Sequence, residues 1–143
     1  MATKDISRPQ VGIGVMIFKN QKVLLGKRRG SHGEGEYAFP GGHLEFRESF
    51  KECAIRETRE ETGVEIVDVK FLFAANIMRY SGKHYVHIGL TAKWKGGEPK
   101  VLESDKSESW GWYPLDEPPQ PLFEPCELSY ESYKNGKNFF DSK

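Results

Sequence analysis

The chain has 143 residues, enough for one domain built around a single core. Hydrophobic residues supply 37% and charged residues 29%, the balance of a folded globular chain rather than a disordered one. Lys plus Arg number 21 and Asp plus Glu number 21, so the formal net charge is +0. That excludes general affinity for nucleic-acid polymers or membrane surfaces resting on excess positive charge.

No apolar run approaches the ~18 residues that span a bilayer. Residues 1–10 are polar and lack the apolar stretch of an export signal, so a cytoplasmic protein is expected. Cys53 and Cys126 are then expected as reduced thiols. No internal repeat divides the sequence.

Val11, Ile13, Val15 and Ile17 alternate with Gly12, Gly14, Met16 and Phe18, which is a strand pattern. Lys19, Asn20 and Gln21 turn the chain into Val23, Leu24 and Leu25, predicting a hairpin. Residues 30–35 form a loop by composition. A short strand runs through Tyr37, Ala38 and Phe39, and Pro40, Gly41 and Gly42 are expected to stop it.

The pattern over 49–62 is helical, with Ser49 or Glu48 at its start and Gly63 placed to end it. Residues 64–76 are strand-like, and 84–94 alternate, placing Val86, Ile88, Leu90, Ala92 and Trp94 on one face. Residues 96–106 read as a mobile loop. A short aromatic strand over 109–114, a Pro-rich turn over 116–121 and a last helix within 122–140, limited by Pro125 and Gly136, complete the chain. Strands interleaved with helices point to an α/β or α+β layered domain.

The central helix carries the strongest chemical signal. At ~100° per residue, Phe50, Cys53, Ala54, Glu57 and Glu61 fall within one stripe, so two carboxylates occupy the face expected to be apolar. Glu60 lies beside them. Like charges at these spacings repel, more strongly where water is excluded, and require compensating positive charge. Arg56 and Arg59 are the local cations, but both are expected to project away from the stripe's centre. Three carboxylates with little local compensation suit a hard divalent cation such as Mg²⁺ or Mn²⁺.

The flanking segments add candidates. At Pro40-Gly41-Gly42 the backbone can approach a ligand closely, offering a carbonyl to a cation or amides to phosphate oxygens. Lys27, Arg28 and Arg29 form either a phosphate-neutralising cluster or an ordinary solvated turn. Val11-Gly12-Ile13-Gly14 lacks the third glycine and the following helix of a dinucleotide fingerprint, so it reads as a strand whose glycines allow close approach. His84 and His87 lie on opposite faces of a strand and cannot form a zinc pair.

Gly42, five residues, Glu48, seven residues, and then Arg56-Glu57-Thr58-Arg59-Glu60-Glu61-Thr62-Gly63-Val64 resembles the Nudix box of MutT-like hydrolases, over residues 42–64. Thr58 stands where the family usually has an aliphatic residue, and Arg47 where close relatives often have Gly. Gly41-Gly42-His43-Leu44-Glu45-Phe46, Glu98-Pro99-Lys100 and Glu108-Ser109-Trp110 resemble a branch of small nucleotide diphosphatases, carrying the likeness over about residues 10 to 125.

The resemblance implies a single domain over 1–143, an α/β/α sandwich with a mixed central sheet. It implies Mg²⁺-dependent hydrolysis, with Mn²⁺ substituting, of a nucleoside diphosphate linked to another group. Glu57, Glu60 and Glu61 would be metal ligands, with the carbonyl of Gly41. Glu57, Glu60 and Arg56 would form the catalytic set, Arg56 orienting Glu57. Glu48 would pair with an Arg of the helix, and Glu103 is the candidate for a base or an extra ligand from a later loop. Arg28, Gly41, Gly42 and His43 would face the phosphates, His43 alternatively anchoring its loop. Phe39 and Trp110 would either wall a nucleobase or belong to the core.

Implied substrates are (deoxy)nucleoside triphosphates, including oxidised purines such as 8-oxo-dGTP, cleaved to monophosphate and pyrophosphate in the service of nucleotide-pool cleaning. Other diphosphates stand as alternatives (CTP, ADP-ribose, nucleotide sugars, isoprenoid diphosphates), as does a non-catalytic nucleotide-binding module. A homodimer is also implied.

Overall fold

The computed structural model describes residues 8–142; the polar start over 1–7 lies outside them. In chain order the elements are β1 (Gln10–Lys19), β2 (Lys22–Arg28), β3 (Tyr37–Ala38), β4 (Gly41–His43), α1 (Phe50–Thr62), β5 (Glu65–Ile77), β6 (Tyr85–Gly96), β7 (Ser107–Pro114), α2 (Glu124–Asn135) and β8 (Phe139–Phe140).

All eight strands join one mixed sheet around β1. Along one edge β1 pairs in parallel with β6, from Gln10↔Tyr85 to Phe18↔Lys93. Its other edge is shared. The first half pairs with β4 (Gly12↔His43, Ile13↔Gly42, Gly14↔Gly41), and the end pairs with β2 (Phe18↔Val23, Lys19↔Lys22). β2 then continues with β7 and β3. Because β1 and β2 stay paired only near their turn, they diverge and open a cleft beside β4. Asn20, at φ 58, makes that two-residue turn in a conformation asparagine tolerates well.

The central position of β1 explains why both of its faces are apolar. Ile13, Val15 and Ile17 pack with Leu24, Leu90, Cys53 and Ala54 beneath α1. Met16 joins Val23, Leu25, Phe39 and Cys126 beneath α2. The result is the expected α/β/α sandwich with a mixed sheet.

Ser49 caps α1 with a reciprocal box: its Oγ accepts from the Glu52 amide at 3.0 Å, and the Glu52 carboxylate accepts from the Ser49 amide at 2.8 Å. Gly63 ends the helix at φ 77, its amide donating to the Arg59 carbonyl.

Several expectations are corrected. The strand over 37–39 does stop before Pro40, as β3 ends at Ala38, but Gly41 and Gly42 then start β4, because a glycine backbone can lie flush against β1; a Cβ on Gly41 would collide with the Ile13 carbonyl oxygen. Phe50 is 44% exposed, since it opens α1 ahead of the turns that cover the sheet. The buried side of the helix consists instead of Cys53, Ala54, Thr58, Glu61 and Thr62. Pro125 does not limit α2 from within but sits in its first turn, where a missing amide costs nothing. Residues 139–140 leave the helix and form β8 beside β5. The segment expected to be mobile is tied to α1: the Lys100 and Leu102 amides donate to the Thr62 and Glu61 carbonyls at 2.9 and 3.3 Å, satisfying orphaned groups of the helix end. Arg47 occupies a positive φ of 64, the left-handed region glycine favours, which is the structural cost of that departure from the box.

Gly89 has no room for a side chain because the Phe73 ring lies over it. Gly89→Ala is expected to destabilise the fold by about 1–3 kcal/mol through overpacking, measured by urea unfolding.

Candidate active site

The cleft opened by β1 and β2 has a volume of ≈ 790 Å³. Part of its lining is acidic: Glu57, Glu60 and Glu61 of α1 and Glu45 of the preceding loop. α1 presents these groups because the helix crosses the sheet with its second half above β4. Glu57 lies against Gly42, so that a Cβ there would strike its carboxylate. Glu61, only 8% exposed, accepts a hydrogen bond from the Gly41 amide at 2.8 Å. The two glycines therefore admit two carboxylates to the sheet.

Arg56 does not project away, contrary to the sequence expectation. It reaches back along α1 and becomes the hub of the acidic cluster. Its Nε and Nη2 donate to the two oxygens of Glu48 at 2.6 and 2.9 Å. Its Nη1 pairs with Glu57 and stands 3.3 and 3.4 Å from Glu45 and Glu60, while Nη2 also donates to the His43 carbonyl. One guanidinium thus fixes the box's first glutamate, its helix and the strand before it.

The electrostatic consequences differ by residue. The hydrogen bonds from Arg56 hold the Glu48 carboxyl down to about 2. Glu57 is raised by burial despite the opposing Arg56. Burial pushes Glu61 up to about 8; the Gly41 amide opposes this and the Glu57 charge adds to it. Among the described residues Glu61 has no ion pair.

Oxygen-only donors carrying uncompensated charge fit a hard divalent cation. Among the described residues, however, no three His, Cys, Asp or Glu side chains are gathered as a ready cage. Glu57 and Glu60 are turned to Arg56, and Glu61 to the Gly41 amide. A cation would have to draw these oxygens from those partners.

Of the basic cluster, Arg28 and Arg29 line the cleft and Lys27 does not. Arg28 is held by its Nε bond to the His32 carbonyl (2.9 Å) and lies 4.0 Å over the Phe123 ring; burial lowers its pKa. His43 lines the cleft, its Nε2 in hydrogen-bonding contact with the Tyr85 hydroxyl at 3.1 Å. Phe39 is both wall and core: it lines the cleft, is buried, and its amide donates to the Cys126 sulfur. Trp110 lines the cleft beside Gly26, its buried indole Nε1 without a partner among the described residues. Glu103 does not line the cleft; it pairs with Lys106 at 3.7 Å.

Sequence reasoning missed Lys106, Tyr80, Tyr85, His87 and Phe123, all of which line the cleft. Tyr85 and His87 share a strand face, but only the parallel pairing of β6 with β1 brings that face to Gly12 and Gly14.

With this geometry in place, comparison with known proteins is decisive for the family. A NUDIX domain model matches residues 8–130. The chain belongs to the Nudix family. It is 32% identical over 108 residues to the NAD-capped RNA hydrolase NudC of Pseudomonas aeruginosa, covering 75% of this chain but only 37% of that one. It is 32% identical over 132 residues to an ADP-ribose pyrophosphatase of Methanocaldococcus jannaschii, covering 90% of this chain and 76% of the relative. The crystal structure of a MutT NUDIX hydrolase from Burkholderia pseudomallei superimposes with a TM-score of 0.82 at 32% identity, covering 87% of this chain and 98% of that one.

The raised Glu61 carboxyl sets a pH dependence. Native Glu61 keeps its proton to about 8, whereas in the unfolded chain it releases it near 4.5, so between these values the native state binds more protons and stability falls as pH rises. In EDTA, thermal unfolding is expected to show Tm declining through that window, with Glu61→Gln flattening the decline and Mn²⁺ or Mg²⁺ reversing it in the native protein.

Proposed function

We propose that this Nudix protein is a divalent-cation-dependent pyrophosphohydrolase acting on nucleotides. The observation that carries the reading is the buried Glu61 and the half-buried Glu57, with Glu60 beside them, in a cleft that Arg28 and aromatic rings also line. Glu57, Glu60 and Glu61, with the backbone of Gly41, are the groups that would hold the cation, Mg²⁺ by preference and Mn²⁺ as substitute. Bound there, it would neutralise the charge that shields a phosphoanhydride from attack.

The chain's own residues supply the rest. Arg56 fixes the orientation of Glu57, which serves as proton acceptor for the attacking water, with Glu60 within reach of the same guanidinium. Arg28 presents a guanidinium to the phosphate chain without a competing ion pair among the described residues. Phe39 and Trp110 flank the nucleoside, and Gly42 and His43 the phosphates. A (deoxy)nucleoside triphosphate, oxidised purines included, would leave as monophosphate and pyrophosphate, a reaction suited to clearing the nucleotide pool of the cytoplasm. The free, buried thiols of Cys53 and Cys126 accord with a reducing compartment, and no described helix is long and apolar enough to cross a membrane.

ADP-ribose is the second reading, favoured by the archaeal relative that this chain matches over 90% of its length. It shares the same anhydride chemistry. Because the chain spans 37% of NudC, action on NAD-capped RNA belongs to that larger protein and is not carried over.

The test is product release from a panel of nucleoside triphosphates, 8-oxo-dGTP, ADP-ribose and prenyl diphosphates in Mg²⁺. Native protein is expected to turn over nucleotides, and Glu57→Gln and Glu61→Gln to lose about 10²–10⁴-fold in kcat. Native turnover far better on a prenyl diphosphate, or undiminished in both variants, would overturn the reading.

A further inference from the structure

His87 is a buried polar group that the hydrolytic chemistry above does not use. It stands on β6, opposite Gly12 of β1 and Ala75 of β5, and is 8% exposed. The ring is braced from behind by Phe73, stacked at 5.7 Å and 24°. Its Nδ1–Cε1–Nε2 edge lies over β1: a Cβ on Gly12 would come within 3.3 Å of Nδ1, and one on Gly14 within 2.9 Å of Nε2. The two glycines thus leave a window of side-chain space that the ring's nitrogen edge occupies, and His87, Gly12 and Gly14 all line the cleft. No hydrogen-bond partner for either nitrogen is found among the described residues. Phe73 and the window together fix the ring's orientation while leaving its polar edge unspent.

Burial pushes the imidazole down to about 4, so it is neutral near pH 7 and offers one N–H donor and one lone pair. Such an edge lacks the positive charge that would single out a phosphate. Its complement is an uncharged group carrying hydrogen-bonding atoms on a flat ring, and Tyr85 and Phe39 supply apolar surface in the same cleft.

We propose that His87 reads the nucleobase of the substrate through the Gly12–Gly14 window and sets head-group preference, leaving the phosphate end to α1 and Arg28. This rests on the nucleotide reading above and deepens it. His87 contributes binding, not chemistry, so its loss weakens nucleotide affinity and blurs the ranking among bases while the affinity for inorganic pyrophosphate stays put.

The test uses protein labelled with ¹⁵N-histidine, whose four histidines are sorted by omitting one through His87→Phe. Nucleoside monophosphates and inorganic pyrophosphate are titrated separately. A shift of the His87 ring nitrogens with monophosphates but not with pyrophosphate is expected. His87→Phe is expected to bind its best monophosphate roughly tenfold more weakly with unchanged pyrophosphate affinity, and His87→Gln, which keeps a donor and an acceptor, to recover part of the loss. Unmoved ring resonances, equal shifts with both probes, or native affinity and base ranking in a folded His87→Phe would overturn the proposal. The two readings fail separately. Native protein that binds nucleotide at His87 but hydrolyses none contradicts the hydrolase and leaves His87 in place; efficient nucleotide turnover with unmoved His87 resonances does the reverse.

Discussion

The burial of carboxylate oxygens where hydrocarbon would ordinarily pack shapes the rest of this molecule. α1 covers the sheet with Cys53, Ala54 and Thr58, then reaches the sheet's glycine strand with Glu57 and Glu61. A charge taken from water without a partner is costly enough that a fold must neutralise it, hydrogen-bond it or reserve it for a ligand. Each of these answers is present. Glu48 is neutralised by a two-pronged contact with Arg56, Glu61 is hydrogen-bonded by the Gly41 amide, and the carboxyl groups of Glu57 and Glu61 line an open cleft. Gly41 and Gly42 follow from the same constraint, since any side chain there would displace the β1 backbone or the Glu57 carboxylate. The capping box and the left-handed Gly63 fix the helix at both ends, so the acids cannot slide out of register.

How much of this was legible in the sequence depends on the range of the interaction involved. α1 was readable almost to the residue, because Ser49, Glu52 and Gly63 act within a turn of themselves. The acid cluster was readable for the same reason, as a breach of helical periodicity. Arg56 was misplaced because helical projection locates a Cβ, whereas a long guanidinium can double back to acids both before and behind it. Phe50 was misassigned because periodicity does not tell where the sheet beneath a helix ends. β4 was hidden because two glycines and a histidine carry no strand propensity, and only β1 as a neighbour makes them a strand. In the sequence His87 reads only as half of an absent zinc pair. Its meaning appears only when β6 lies parallel to β1, a pairing between residues some 75 positions apart that no local pattern encodes.

The cleft is built from two kinds of element. α1 and β4 carry its acids and glycine backbone. Arg28 and the Tyr80, Tyr85 and Phe123 rings gather around the loop carrying His32, whose own ring lies 5.3 to 5.6 Å from the three rings. Chemistry placed on a helix and strand, with recognition drawn from loops and a neighbouring strand, lets one hydrolytic core serve different head groups. The fold and family are those of Nudix proteins, and head-group preference is the role proposed for His87.

The role proposed for the carboxylates of α1 is to leave Arg56 and the Gly41 amide and hold a divalent cation. Electron paramagnetic resonance of Mn²⁺ titrated into the protein tests it without any substrate. The account predicts that native protein quenches the free-ion signal, and that Glu57→Gln and Glu61→Gln each lose most of that binding while remaining folded. A free-ion signal unaltered by native protein, or equal Mn²⁺ affinity in native and both variants, would contradict it and return the acid cluster to a purely structural role around Arg56.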